Sequence, residues 1–326
     1  MEIKVLPCKE EQVADCVRIS LTSYEYIHEV YTKLLGEEIH DGTMGSWRVN
    51  KAKTITEQQR DEKNAVVALA DGKIAGFVSY LVHNGVGHVG NNAVDPAFRG
   101  NGIAGYLYRN VLDGMRKEGL AYATVHTGLD DGHAAARRAY QKVGFGKNRS
   151  YMAYYQKLPK DAAVWEFADE KVMLRAFMAD DLAACKEIAL EAWTRIHEGY
   201  IEQLGKEMHD GVMPNWENEL LRELEQQLIG DDSFVLLDAE MIVGFISYKK
   251  LGNLGQIGYH AIAPAYRGRG LGEKMYRFLL AKMVTDGTEF ARVNVGLEDA
   301  QAAARRVCEK AGFAQGLPSI WYYQKL

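Results

Sequence analysis

A six-residue loop occurs twice in this chain, as Arg99-Gly-Asn-Gly-Ile-Ala104 and, 168 positions later, as Arg267-Gly-Arg-Gly-Leu-Gly272. Each copy follows a short apolar stretch ending in proline, Val94-Asp-Pro96 and Ile262-Ala-Pro264, and each leads into a run of helical character. A glycine-rich turn feeding a helix start gathers backbone N–H groups around an anion, and the helix dipole adds to the attraction. The same offset relates Gly76-Phe77 to Gly244-Phe245, Ala134-Ala-Ala-Arg-Arg138 to Ala302-Ala-Ala-Arg-Arg306, and Gly144-Phe145 to Gly312-Phe313. Both halves close on an identical pentapeptide, Tyr154-Tyr-Gln-Lys-Leu158 and Tyr322-Tyr-Gln-Lys-Leu326. Nearer the start of each half the offset is 169, as for His40-Asp-Gly42 against His209-Asp-Gly211, so one residue was gained or lost in between. A period this long exceeds the ~20–50 residues of solenoid units. It predicts two duplicated domains, 1–158 and 171–326, with a linker over 159–170.

Composition narrows the function classes. With 326 residues, 47% of them hydrophobic, the chain can bury two substantial cores. A net charge of −5 and a pI near 6.0 argue against a general nucleic-acid or membrane-surface binder. The four cysteines (Cys8, Cys16, Cys185, Cys308) form no CxxC, so neither a zinc knuckle nor a disulfide framework is expected, and no metal site is predicted. The start of the chain, Met1-Glu-Ile-Lys-Val, has no apolar signal segment, and no run of ~20 apolar residues occurs; the expectation is a cytoplasmic protein with no membrane partner.

Within one half, Glu2 to Leu6 alternates like a strand, and Val13, Cys16, Val17, Leu21 and Tyr24 share one helical face. A polar stretch runs to about Lys63. Ala65 to Ala70 and Lys73 to Tyr80 flank Asp71-Gly72, a strong hairpin signal. Then come a strand to Val94, the loop, a helix over 103–117, a strand over 121–127, a helix over 132–143 closed by Gly144, and a strand over 149–157. This predicts an α+β fold in each half: a mixed, mostly antiparallel sheet flanked by helices, with one parallel crossover carrying the loop.

That order of strand, R-x-x-G-x-[GA] loop, helix, strand and helix ending in Gly-Phe resembles the GNAT N-acetyltransferase superfamily, over about 3–158 and again over 171–326. The resemblance implies that Arg99, Gly100, Asn101, Gly102, Ile103 and Ala104 hold the pyrophosphate of acetyl-CoA. Arg267, Gly268, Arg269, Gly270, Leu271 and Gly272 would do the same in the second half, with Val94 and Ile262 beside the pantetheine arm. The chemistry agrees, because glycines let the backbone approach phosphates and a helix start presents unsatisfied donors. Gly100 to Gly105 also spells G-x-G-x-x-G, but the second copy has Glu273 in the last position and Pro96 interrupts the strand, so a dinucleotide fold is not expected. No G-x-x-x-x-G-K-[ST] occurs.

The family's usual general acid, a tyrosine on the last helix, falls on Tyr140; its partner in the second half is Cys308. The family's base position falls on His88 against Gln256, with His126 and a water as rivals. Histidine can take a proton near neutrality and glutamine cannot. The expectation is therefore an acetyl-CoA-dependent N-acetyltransferase acting on a primary amine of a small molecule or peptide by direct attack. Its first half is active, and its second is degenerate but able to bind cofactor. Tyr31, His40, Asp41 and Trp47, between the first helix and the hairpin, are the expected acceptor contacts. The rival expectation is a non-catalytic acyl-CoA-binding module. A monomer in which the two halves pack together is the expected assembly.

Overall fold

A computed structural model describes residues 1–60, 64–161, 167, 169 and 171–326; most of the linker expected at 159–170 lies outside the described residues. The chain forms two compact units. Unit 1 comprises Met1–Ser150, Gln203–Pro214 and Pro318–Leu326, and unit 2 comprises Tyr151–Glu202 and Asn215–Leu317. The repeat halves and the compact units are thus different divisions of the chain.

Unit 1 begins with β1 (Ile3–Pro7), α1 (Val13–Leu35), α2 (Glu37–Met44) and α3 (Trp47–Gln59). The polar stretch before Lys63 is therefore largely helical. In it, α1 runs on past Tyr24 to bury Ile27 and Leu35. The strands β2 (Ala65–Ala70) and β3 (Lys73–His83) form the expected hairpin, with Asp71 at φ 48° and Gly72 at φ 83° supplying the left-handed turn. There follow β4 (Val86–Val94), α4 (Ile103–Lys117), β5 (Tyr122–Gly128) and α5 (Ala134–Lys142), and then β6 (Lys147–Lys157), whose residues from Tyr151 on belong to unit 2. The β4–β5 pair is parallel, and the pairs β1–β2, β2–β3 and β3–β4 are antiparallel. Side chains alternate across the sheet. Val66 and Ala68 join the α4 core with Leu107, Val111 and Met115, while Ala65 and Val67 join the α1 core with Cys16, Ile19 and Ile55.

Unit 2 repeats the plan with β7 (Val172–Ala176), α6 (Leu182–Leu204), α8 (Trp216–Gly230), β8 (Asp232–Asp238), β9 (Met241–Leu251), β10 (Leu254–Ile262), α9 (Leu271–Thr285), β11 (Phe290–Gly296) and α10 (Ala302–Lys310). Between α6 and α8, α7 (Lys206–Val212) belongs to unit 1, where the Tyr122 hydroxyl donates to the Glu207 carbonyl. The β10–β11 pair is parallel like β4–β5.

The sixth strand of each unit comes from the other half of the sequence. In unit 1, β12 (Gln315–Lys325) pairs antiparallel with β5 from Ser319↔Gly128 to Lys325↔Tyr122, and Ile320 and Tyr322 enter the α4 core. In unit 2, β6 pairs antiparallel with β11 from Phe290↔Lys157 to Gly296↔Tyr151, and Tyr154 and Leu158 enter the α9 core. The identical pentapeptides thus fill equivalent positions in exchanged sheets.

Candidate active site

In unit 1, β4 and β5 pair only from Val86↔Tyr122 to Val89↔Val125; beyond these residues no partners link them. Here β4 also bulges, with Gly90 and Asn91 together facing Ser79 of β3. Gln58 of α3 secures the bulge: its Oε1 accepts from the Asn91 backbone N–H (3.3 Å), Asn91 Nδ2 (2.8 Å) and Ser79 Oγ (3.3 Å). A side chain at Gly90 would lie 2.9 Å from Ser79 Oγ. Unit 2 has the same device, with Gln227 Oε1 accepting from the Tyr259 N–H (3.0 Å) and Ser247 Oγ (3.4 Å).

From the end of β4 the chain passes through a single turn at Pro96–Phe98 into the loop. Gly100 (φ 82°) and Gly102 (φ 75°) both adopt left-handed backbone, and nothing lies within 4 Å of where their Cβ atoms would be. Gly102 caps α4 without a side-chain hydrogen bond, so no side chain takes up the first N–H groups of the helix. Asn101 Nδ2 binds the Phe98 and Arg99 carbonyls, and Arg99 Nη2 reaches Ser23 Oγ at 3.3 Å. In unit 2, Gly268 and Gly270 (both φ 77°) are equally open, Gly270 caps α9, Arg267 Nε donates to the Ile262 carbonyl, and Arg269 stacks on Tyr266. Both loops therefore offer a cradle of backbone donors that fits a pyrophosphate.

Tyr140 of α5 is buried. Asn92, the first residue after the bulge, donates to its hydroxyl through Nδ2 (3.0 Å), and Asn92 Oδ1 lies 3.2 Å from the same hydroxyl. The Tyr108 hydroxyl of α4 donates to Asn92 Oδ1 at 2.8 Å, which fixes the amide with Nδ2 toward Gly90 O and Tyr140. Burial pushes the Tyr140 phenol up, and the bonds to Asn92 and Tyr108 pull it partly back, so it is a protonated acid at neutral pH.

Seven residues before Tyr140, at the N-cap of α5 and about two helical turns away, stands His133. Its Nδ1 bonds the buried Asp130 Oδ2 at 2.8 Å, leaving Nε2 as the acceptor nitrogen of the neutral ring. Burial works against the Asp130 carboxylate, but His133 outweighs it and holds Asp130 below the ordinary range. The His133 ring stacks at 6.1 Å on Tyr31 and meets Tyr24 edge-on at 6.4 Å. Tyr24 in turn is close enough to Tyr140 and Asp130 that, after burial, both raise its pKa.

The expected acceptor residues gather around His28 of α1. His28 stacks on Trp47 (4.0 Å, 11°), meets Tyr31 edge-on at 5.4 Å, and bonds His40 Nε2 through Nδ1 at 3.0 Å; His40 Nδ1 bonds Asp41 at 2.8 Å. Burial, then His40 and Lys51, lower the His28 pKa to about 4, so this ring is neutral. His88 stands elsewhere, in the stretch where β4 and β5 still pair. Its Nδ1 bonds Thr124 Oγ1 (2.7 Å) and its ring meets Trp321 edge-on; burial, then His83, lower its pKa. His126 lies against the same Trp321 at 4.8 Å.

Unit 2 keeps the scaffold of this site and changes its protonic groups. Arg305 binds the Gly296 and Glu298 carbonyls as Arg137 binds those of Gly128 and Asp130. Gln301 replaces His133 beside Glu298, and His260 replaces Asn92, accepting from the Tyr276 hydroxyl at 2.9 Å. Cys308, fully buried, replaces Tyr140 and donates to Tyr276, and burial pushes its thiol up to about 11. His133 was missed in the sequence because it becomes a neighbour of Tyr24 and Tyr31 only when α1 packs against the turn Asp131–His133. Its contrast with Gln301 in the repeat was the available signal.

An acetyltransferase (GNAT) family model matches residues 26–145 and again 187–313, well over half of the chain. The chain belongs to this family of acetyltransferases, whose reaction is acetyl transfer from an acyl-CoA. The fold is similar to a GCN5-related N-acetyltransferase from Sphaerobacter thermophilus, with TM-score 0.61, 18% identity, and coverage of 99% of this chain and 95% of that one. It is similar also to a tandem GNAT protein from the clavulanic acid biosynthesis pathway, with TM-score 0.55, 13% identity and coverage of 99% and 98%. No curated protein matches the chain by sequence. Among the described residues, no helix is long and apolar enough to cross a membrane.

Proposed function

We propose that the protein transfers an acetyl group from acetyl-CoA to the primary amine of a small-molecule or peptide acceptor by direct attack, with the chemistry in unit 1. The observation that carries this reading is the Asn92–Tyr108–Tyr140 network at the bulge, just upstream of the open glycine loop. Arg99 to Ala104 would hold the pyrophosphate, with Val94 beside the pantetheine arm; Arg267 to Gly272 and Ile262 are the equivalents in unit 2. When bound, acetyl-CoA supplies an activated acyl carbon and a thiolate leaving group. Tyr140 is the proton donor toward the departing sulfur, and Asn92 Nδ2 is aimed at the oxygen that the proton leaves. His133, oriented by Asp130, takes the proton of the acceptor ammonium, a step that costs an unperturbed alkylamine roughly 4–5 kcal/mol at neutral pH. We prefer His133 to His88 as base because it caps the helix that carries Tyr140 and meets Tyr24, which also senses Tyr140, whereas His88 lies back where β4 and β5 still pair. His133→Gln, which installs the residue unit 2 carries at this place, should lower kcat/KM for the acceptor about 10²-fold and leave acetyl-CoA affinity unchanged. A variant with full turnover removes His133 from the mechanism.

Unit 2 keeps an open loop but replaces the acid, the base and their anchor, which supports a binding role without chemistry. Calorimetry should find two acetyl-CoA sites per chain. Gly270→Ala puts a Cβ into the cradle and strains a left-handed residue by about 1–2 kcal/mol, so it should abolish one site and spare turnover. Loss of turnover with that variant would move the chemistry to unit 2. The whole reading is tested by CoA release in the presence of amines, peptides and aminoglycosides; tight binding with no release leaves an acyl-CoA-binding module. All four cysteines are free and buried, which supports the cytoplasm as location.

A further inference from the structure

Lys51 of α3 is a cation of the unit 1 site that neither acid, base nor loop accounts for. Its Nζ bonds Asn91 Oδ1 on the bulge at 2.7 Å and lies 3.4 Å over the Tyr24 ring. Among the described residues it joins no ion pair, and burial alone pulls its ammonium down to about 7, with no carboxylate holding it up. Other half-buried lysines of the chain are paired, Lys186 with Glu225 at 2.6 Å and Lys274 with Asp169 at 2.5 Å. Asp130 is already engaged by His133, Asp41 by His40, and Glu25 by Arg48.

The repeat removes a structural explanation. At the same offset that relates Trp47 to Trp216, Lys51 corresponds to Leu220, which is buried in unit 2, and the Gln227-stapled bulge forms there with leucine in the place of the lysine. Asn91 corresponds to Tyr259, whose hydroxyl donates to Glu223 at 2.8 Å, so unit 2 places an acid beside the equivalent spot. The fold therefore accepts an apolar side chain at this position, and the cation is particular to the half that carries His133 and Tyr140.

We propose that the acceptor of unit 1 is a primary amine that also bears a carboxylate, and that Lys51 Nζ receives that carboxylate. The proposal rests on the acetyl-transfer reading above. A lone ammonium matches a single negative charge; a phosphate dianion would call for a second cation, and Arg48 is committed to Trp47 and Glu25. Tyr24 has Nζ over its ring and the His133 ring at its edge, so a carboxylate on Lys51 leaves the amine of a short acceptor within reach of the base. The arriving carboxylate returns Lys51 to its charged form and relieves the desolvation that an unpaired ammonium suffers there.

The test uses matched acceptors with the full chain and acetyl-CoA: glycine, glycinamide and methylamine; phenylalanine, phenylalaninamide and phenethylamine; glutamate and its diamide; and spermidine and kanamycin as cationic controls. Carboxylate members should exceed their amides in kcat/KM by about 10–100-fold, the range of a hydrogen bond to a charged group. Lys51→Met should close that gap through KM, with the amide's kcat and acetyl-CoA affinity kept, and Lys51→Arg should restore most of it. The proposal is overturned if wild type uses amides or cationic amines as well as carboxylates, or if Lys51→Met slows both members alike. It is overturned equally if Lys51 itself gains an acetyl group, which would make it a neutral acceptor. If calorimetry shows acetyl-CoA bound but no amine is turned over, acetyl transfer itself fails, and this inference falls with it.

Discussion

Tyr140→Phe should lower kcat by about 10²–10³-fold while leaving acetyl-CoA affinity nearly unchanged. The phenylalanine ring keeps the packing against Tyr108 (4.8 Å) and Phe145 (6.1 Å), and Asn92 keeps its bonds to Gly90 and Tyr108, so the fold loses little. What disappears is the proton. An unperturbed phenol is a weaker acid than a thiol by about 1.5 pK units, a deficit near 2 kcal/mol, and burial of Tyr140 widens it. The Asn92 Nδ2 donor offsets that deficit by stabilising the oxygen as the proton leaves, an effect that strengthens in a water-poor site. Asn92 is accordingly a positioning residue for Tyr140. Cys308→Ala is the companion measurement: the thiol is sealed in the unit 2 core, and its loss should leave turnover intact. Unchanged kcat in Tyr140→Phe would reduce Tyr140 to a core aromatic, and a large loss in Cys308→Ala would reverse the assignment of chemistry to unit 1.

A chain ending at Ala314 should lose the chemistry of unit 1, although every residue of its loop, acid and base lies more than 170 positions upstream. Removing β12 strips β5 of seven paired residues, of the bonds from Leu129 N–H to Pro318 O and from Leu326 N–H to Ala121 O, and of the Gln324 bond to Val143 O. It also takes Ile320 and Tyr322 out of the α4 core, at about 1.5–3 kcal/mol each. That is a large part of the roughly 5–15 kcal/mol that stabilises a domain. β6 ends in the same five residues but is held by β11 through seven pairs of its own. Hydrogen exchange should show α4 and β5 deprotected and α9 still protected, since unit 2 loses only its last few residues. A truncated chain with full turnover would mean that β12 is dispensable to the site.

Much of the site was legible because its signals are local. The glycine loops, the helices that follow them and Tyr140 each declare themselves within a few residues, through left-handed turns, apolar stripes and a Gly-Phe stop. His133 and Lys51 did not, because each acquires its role from side chains far away in sequence: Tyr24 and Tyr31 for the first, Asn91 and Tyr24 for the second. The comparison that distinguished Tyr140 from Cys308 would have flagged both, as His133 against Gln301 and Lys51 against Leu220.

The amino-acid sequence by itself determined the duplication, the α+β plan of each repeat and the twin anion loops, since periodicity, turn chemistry and helix starts are short-range properties. Only the tertiary structure decided which sheet receives each closing strand. The ends Tyr154 to Leu158 and Tyr322 to Leu326 are identical, so their side-chain alternation does not tell one sheet from the other. The choice of partner lies in long-range hydrogen-bond ladders, and it places the last strand of the chain beside the helix that carries Tyr140.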